Sequence, residues 1–154
     1  MEIRTARRTD LPALKELLRR SWLTTWAPHL RPATVHHFHE IDSAGNYAES
    51  CWRQFGVAEE DGGLRGMFHI EGDHLNAIHL DPDRKRRGIG SRLMDEIERR
   101  IGASHQQACL EVLAFNTGAI AFYTSRGWTR QRTYQTLECG EPVETFEMIK
   151  RLRP

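Results

Sequence analysis

Two glycines that follow a strongly basic segment are the residues of this chain with the clearest chemical potential. Gly88 and Gly90 come directly after the basic run 84–87. Without a Cβ, a glycine lets the backbone approach a ligand closely, and N–H groups in the first turn of a helix have no acceptor within the helix. Together with the positive end of a helix dipole, such groups favour an anion such as a pyrophosphate. The segment therefore predicts a phosphate cradle, and the alternative is an ordinary solvated basic turn.

The residues after the glycines have the pattern of a helix that would hold this cradle in place. Ile89, Leu93, Ile97 and Ile101 recur every four residues, and Gly102 stands where a glycine would end the helix. The glycine spacing differs from the P-loop pattern, and a dinucleotide-binding fingerprint would need glycine or alanine where Leu93 stands. Neither a P-loop nor a Rossmann site is predicted.

A second group of chemically capable residues lies between positions 110 and 128. Glu111 stands near the end of a strand-like run, Asn116 occupies the N-cap position of a short helix, and Gly127 stops that helix. Tyr123 lies on the helix, where its phenol would serve either as a proton donor or as an ordinary aromatic core residue.

These two groups together carry a resemblance to a known family. The matching residues are Pro82, the basic segment, Gly88-x-Gly90, Leu110-Glu111-Val112, Asn116, Ala119, Phe122-Tyr123 and Gly127-Trp128. They resemble the GCN5-related N-acetyltransferase (GNAT) family, and the similarity spans most of the chain. It implies a single-domain α/β fold over residues 1–154, with a mixed, mostly antiparallel sheet whose central strands splay apart and are flanked by helices.

The resemblance also implies acetyl-CoA as cosubstrate and names the residues that would bind it. The backbone of Ile78, His79 and Leu80 would pair with the pantetheine arm, and Asn116 would lie near the thioester. The cradle residues that would hold the pyrophosphate are Lys85, Arg86, Arg87, Gly88, Ile89, Gly90 and Ser91. Lys85 stands where the family usually has Arg or Gln, and lysine lacks the planar fork of arginine.

In this family the acceptor amine attacks the thioester directly, so an acid and a base are expected rather than an enzyme nucleophile. By resemblance, Tyr123 would donate a proton to the departing thiolate and would also contact the cofactor. Glu111 is the first choice for the base that takes the ammonium proton, although it is equally well a structural carboxylate. His79 and His74 are alternates because histidine titrates near neutral pH.

Acceptor specificity is expected in the segment 22–47, which resembles the family's variable helical region. Trp22 and Trp26 share a helical face and are predicted to bind the substrate, unless they are packing residues of the core. The histidines of this region lack carboxylate or cysteine partners at convincing spacing, so no metal is predicted.

The composition sets the broad class of protein. The chain has 154 residues, a formal net charge of +1, and 39% hydrophobic residues, which suits one globular domain and argues against a nucleic-acid binder. Cys51, Cys109 and Cys139 form no C-x-x-C pair, which favours a reducing cytoplasm. No apolar run is long enough to span a bilayer, so no membrane partner is expected. A homodimer is an expectation from the resemblance alone.

The remaining elements follow from periodicity and turn residues. A first strand at 2–6 and a helix capped by Thr9-Asp10 are predicted, with a break at Gly45-Asn46 before a helix at 47–54. A three-strand meander at 55–80, a strand at 108–113 and final strands near 128–137 and 143–150 complete the pattern.

The leading hypothesis is an acetyl-CoA-dependent N-acetyltransferase acting on a primary amine of a small molecule or a peptide. The alternatives are a noncatalytic acyl-CoA-binding or sensing domain, and a nucleic-acid binder that uses the basic run 84–87.

Overall fold

The structure, a computed structural model, describes residues 1–84 and 88–153, so Lys85, Arg86 and Arg87 of the predicted cradle lie outside the described residues. Its α-helices are α1 (Leu11–Thr25), α2 (Pro32–Glu40), α3 (Ser43–Cys51), α4 (Ile89–Gly102) and α5 (Thr117–Ser125). Its strands are β1 (Glu2–Thr5), β2 (Phe55–Glu60), β3 (Gly63–Glu71), β4 (His74–Leu80), β5 (Gln107–Leu113), β6 (Thr129–Glu138) and β7 (Glu141–Arg151). The predicted mixed α/β fold is confirmed.

The strands form one sheet in the order β1-β2-β3-β4-β5-β7-β6, and neighbouring strands are antiparallel except for β4 and β5. Within the described residues, the parallel pairing of β4 with β5 is limited to His74 opposite Cys109 and Leu75 opposite Leu110. The two strands separate beyond these positions. Their separation confirms the predicted splay and opens a cleft in the middle of the sheet.

Apolar side chains fix the helices to the two faces of the sheet. On one face, α4 and α5 bury residues such as Leu93, Ile97 and Tyr123 against β5 and β7. On the other face, α1, α2 and α3 bury Leu14 and Phe38, among others, against β2 and β3. Each fully buried side chain of this kind contributes about 1.5–3 kcal/mol. The two layers therefore pack on opposite faces of the sheet that contains the cleft.

Two local predictions were wrong, and a third is confirmed in position but not in its hydrogen bond. Gly45-Asn46 does not break the chain but lies inside α3, whose N-cap is Asp42. Asp10 is the N-cap residue of α1, as predicted, but its carboxylate accepts hydrogen bonds from Arg4 at 2.8 and 3.0 Å and from the Arg7 N–H and makes none to α1. Gly102 is the last residue of α4 itself, which is capped by right-handed Ala103.

The meander of β2, β3 and β4 is confirmed, with turns at the predicted glycines. Gly62 and Gly72 both have a positive φ, +75° and +61°, which glycine adopts at no steric cost. This meander places β4 at the edge of the cleft. In the part of the chain that the structure describes, no helix is long and apolar enough to cross a membrane.

Candidate active site

Three neighbouring cavities meet where β4 and β5 separate, within the described part of the chain. The central cavity, about 270 Å³, lies between the two strands and is lined by Glu111 and Tyr123 among others. The aromatic cavity, about 340 Å³, lies between the sheet and α1 to α3. The loop-side cavity, about 430 Å³, lies between β4 and α5 and reaches Gly90. Trp26 and His79 line all three, so the cavities adjoin one another, and together they are called the cleft.

The loop-side cavity contains most of the described residues that were predicted to bind the cofactor. Its lining includes Ile78, His79, Leu80, Gly90, Asn116 and Tyr123. Gly88 caps α4 with φ +76°, while the Ile89 side chain is buried in the core at 4% exposure. Ile89 would therefore reach a ligand through its backbone N–H and not through its side chain.

A side chain at position 90 would crowd its neighbours. A Cβ on Gly90 would lie 3.3 Å from Leu80 Cδ1 and 3.5 Å from Phe122 Cζ. In addition, β4 has no sheet partner on its β5 side after Leu75 within the described residues, so its backbone groups face the cleft. A narrow cleft with an unpaired strand edge and a helix N-terminus fits an extended ligand that ends in an anion.

Asn116 and Tyr123 are positioned by the start and the second turn of α5. The Asn116 side chain caps the helix by accepting a hydrogen bond from the Ala119 N–H at 3.4 Å, as predicted. Tyr123 is 7% exposed, and its hydroxyl has no hydrogen-bond partner within residues 1–84 and 88–153. Burial raises the pKa of Tyr123, because the phenolate is disfavoured away from water. Its hydroxyl is therefore protonated at neutral pH and free to donate.

His79 is the titratable residue common to the three cavities. Its Nδ1 lies 2.9 Å from Ser21 Oγ, and its ring lies 5.5 Å from the Trp26 ring, centre to centre. Burial lowers the pKa of His79 to about 4, because the imidazolium is disfavoured away from water. The ring is therefore neutral at pH 7 and a weak proton acceptor. The other alternate base, His74, lies outside the three cavities and contacts Cys109 Sγ at 3.2 Å.

Glu111 lines the central cavity from β5. Its Oε2 accepts a hydrogen bond of 2.5 Å from the Tyr134 hydroxyl, and burial together with this contact raises the pKa of Tyr134. The carboxylate thus keeps a second oxygen that can accept a proton. Glu111, Tyr123 and His79 share this one cavity, which the sequence alone did not establish.

Of the two predicted substrate-binding tryptophans, Trp26 lines every cavity and Trp22 lines the aromatic cavity. The Trp22 ring also stacks on Phe38 with ring centres 3.8 Å apart, so it supports the core as well. Its Nε1 donates a hydrogen bond of 2.8 Å to Glu138 Oε1.

Glu138 is a site residue that the sequence analysis missed. It lines both the central and the aromatic cavity. The residue pattern predicts a strand end near 137, and nothing local brings Glu138 near Trp22, 116 positions earlier. The Gly140 turn signal after it was the one available clue to a longer hairpin.

Possible metal ligands do not cluster in the described part of the chain. Across residues 1–84 and 88–153, no group of three or more His, Cys, Asp and Glu side chains is arranged to hold one. Two histidines of α2 instead lie near Glu40, His36 at 3.5 Å and His37 at 3.7 Å.

Comparisons with known proteins find related sequences over most of the chain. The family model described as the acetyltransferase (GNAT) domain matches residues 51–130. The peptidyl-lysine N-acetyltransferase YiaC of Escherichia coli (strain K12) is 37% identical over 147 residues, covering 93% of this chain and 89% of that protein.

Solved structures share the fold over nearly the whole chain. A GCN5-related N-acetyltransferase from Rhodopseudomonas palustris has a TM-score of 0.82 at 20% identity, covering 97% of this chain and 94% of that one. The PaiA N-acetyltransferase from Thermoplasma acidophilum, in complex with coenzyme A, has a TM-score of 0.75 at 25% identity, covering 97% and 98%.

Proposed function

We propose that this chain, which belongs to the GCN5-related N-acetyltransferase family and is an acetyl-CoA-dependent acetyltransferase, transfers the acetyl group directly to a primary amine. The single observation that carries the proposal is the meeting of Tyr123, Glu111 and His79 in one cavity between splayed strands. We propose the ε-amine of a lysine in a peptide as the acceptor, because the relative YiaC is a peptidyl-lysine N-acetyltransferase.

The residues of the loop-side cavity fit acetyl-CoA. The unpaired edge of β4 at Ile78 and Leu80 would bind the pantetheine arm as an added strand, and the first turn of α4 from Gly88 to Ser91 would bind the pyrophosphate. Asn116 would lie near the thioester end. Acetyl-CoA supplies an activated acetyl group with a thiolate leaving group.

The acid and the base are proposed from the central cavity. Tyr123 holds its proton there, because burial raises the pKa of its phenol. As the thiolate departs, it would accept a hydrogen bond or a proton from Tyr123, and a proton released by the attacking amine would then restore the phenol. Glu111 would take the ammonium proton of the acceptor, directly or through water. His79 is not proposed as the base, because its Nδ1 already hydrogen-bonds with Ser21 Oγ at 2.9 Å; we assign it to orient the cavity wall.

The proposal is tested by calorimetric titration with acetyl-CoA and CoA, followed by a free-thiol release assay. The amines compared are a lysine peptide with a blocked N-terminus, a peptide with a free N-terminus, and small alkylamines. We expect saturable binding and thiol release that depends on the lysine peptide. Binding without release for any amine would indicate a sensing domain, and release with another amine alone would overturn the lysine assignment.

Replacing Glu111 by Gln tests the proposed base. We expect the turnover number at pH 7 to fall about 100-fold, a typical contribution of a positioned proton acceptor. The deficit should shrink as the pH approaches the ordinary lysine pKa of about 10.4, because the acceptor then arrives already neutral. The measurement is the pH profile of kcat for the lysine peptide.

The matched control is Glu144→Gln, since Glu144 is an exposed carboxylate on the adjacent strand β7 and lines none of the three cavities. Its kcat should equal that of the wild type at every pH. A Glu111→Gln deficit that stays constant with pH would show that Glu111 acts in some way other than as a base.

A further inference from the structure

A tight hairpin between β6 and β7 holds Glu138 at the cleft. The two loop residues Cys139 and Gly140 both have a positive φ, +48° and +87°, and Glu138 pairs with Glu141 across them. This is the geometry of a two-residue hairpin whose twist matches its strands. The hairpin is anchored to the helical layer, because Glu141 Oε1 accepts hydrogen bonds from Thr34 Oγ1 at 2.6 Å and from the Arg31 N–H at 3.0 Å.

Glu138 itself is a desolvated carboxylate with an incomplete set of partners. Its Oε1 accepts the Trp22 indole hydrogen bond, and Cys139 Sγ lies 4.0 Å away. Across residues 1–84 and 88–153 it forms no ion pair. Burial raises the pKa of Glu138, because the ionised form lacks water. A cation arriving from the cleft would relieve that cost.

The other two carboxylates that line the central and aromatic cavities, Glu71 and Glu111, are exposed to solvent and also have polar contacts. Asn76 donates a hydrogen bond to Glu71 Oε1, and His69 Nε2 lies 3.5 Å from the same oxygen. Glu111 accepts from the Tyr134 hydroxyl. Glu138 is therefore the half-buried acid at the junction of the central and aromatic cavities whose charge has no counterpart in the described part of the chain.

The aromatic cavity beside Glu138 is suited to an apolar chain. Its walls from the helical layer are mainly hydrocarbon and aromatic: Leu18, Trp22, Trp26, Phe38, Ala44 and Tyr47. Flat aromatic walls next to a single negative charge complement a ligand with an unbranched aliphatic stem and a cationic end. The central cavity, where Tyr123 and Glu111 lie, begins at that charge.

We propose that Glu138 binds the ammonium group of the acceptor before transfer, while the aromatic cavity receives the aliphatic stem. The acceptor class is then a primary amine on an unbranched apolar chain, of which the lysine side chain is an example. This inference rests on the proposed function and adds the residue that selects the charged acceptor. Glu138 positions the amine at the mouth of the central cavity, and Glu111 then takes the proton.

The test is a binding measurement that needs no turnover. A blocked lysine peptide is titrated into protein saturated with CoA, which lacks an acetyl group to transfer. Glu138→Gln should raise the Kd of this peptide at least about tenfold, since hydrogen bonds to a charged group are typically that strong. The Kd for CoA should not change. Glu138→Asp, which keeps the charge, should recover part of the affinity.

Two controls separate charge recognition from general damage. The matched variant Glu144→Gln should bind the lysine peptide as the wild type does. A norleucine peptide, which keeps the stem and lacks the amine, should bind Glu138→Gln and the wild type equally weakly. Equal lysine-peptide Kd values for Glu138→Gln and the wild type would overturn this subsite while leaving the acetyltransferase proposal intact. A wild type that neither binds the lysine peptide nor releases thiol with any amine would overturn both.

Discussion

Tyr123→Phe should lower kcat for acetyl transfer by roughly 100-fold or more, the usual contribution of a positioned proton donor, while the Kd for CoA stays within about twofold. The phenol ring is retained, so the packing of α5 on the core is preserved. Only the hydroxyl is lost, and it has no hydrogen bond to any other residue within 1–84 and 88–153. Its removal therefore leaves no buried partner unsatisfied, and stability should change little.

Thiol release is measured in a single turnover of protein saturated with acetyl-CoA. The CoA affinity, measured by calorimetry, is the control for binding. The unfolding midpoint of Tyr123→Phe should match that of the wild type. If kcat were unchanged, the proton would come from elsewhere and Tyr123 would be a packing residue. If CoA affinity fell in parallel with kcat, the hydroxyl would serve binding and not proton donation.

Trp128→Ala should lower the free energy of unfolding by about 3–5 kcal/mol, the usual cost of removing a large aromatic side chain from a core. Trp128 is 1% exposed, and its Nε1 donates to Glu98 Oε2 at 3.2 Å. Its backbone N–H donates to the Tyr123 carbonyl at 3.1 Å, and the two rings lie 6.2 Å apart. Its loss would therefore loosen the position of Tyr123, so we expect kcat to fall in the fraction that remains folded.

Urea denaturation gives the change in free energy, provided that the slope of the transition is unchanged. Trp52→Ala is the matched control, because Trp52 is half-buried, lies outside all three cavities, and has the Arg53 guanidinium 4.6 Å from its ring centre. Trp52→Ala should lower the free energy of unfolding clearly less than Trp128→Ala does. Equal losses for the two variants would show that Trp128 contributes no more than a half-buried aromatic residue.

Local patterns explain which parts of the fold were predictable. The meander, α4 and the Asn116 cap on α5 depend on contacts a few residues apart, and the periodicity and turn residues report those contacts directly. The predicted break at Gly45-Asn46 was wrong because α3 packs on α1 and β2, and such burial outweighs the weak helix propensity of a single glycine. The Asp10 carboxylate accepts a hydrogen bond from Arg4 of β1 and none from the backbone of the helix that it precedes.

The sequence by itself determined the fold class, the splayed strands expected from the family resemblance, and the residue types capable of acid and base chemistry. Only the tertiary structure decided which of those residues meet. It brings Glu111, Tyr123 and His79 to one cavity and leaves His74 outside it. It also brings Glu138 to Trp22 across 116 positions. Such contacts depend on how whole layers pack around the sheet, a long-range property that no local pattern of residues records.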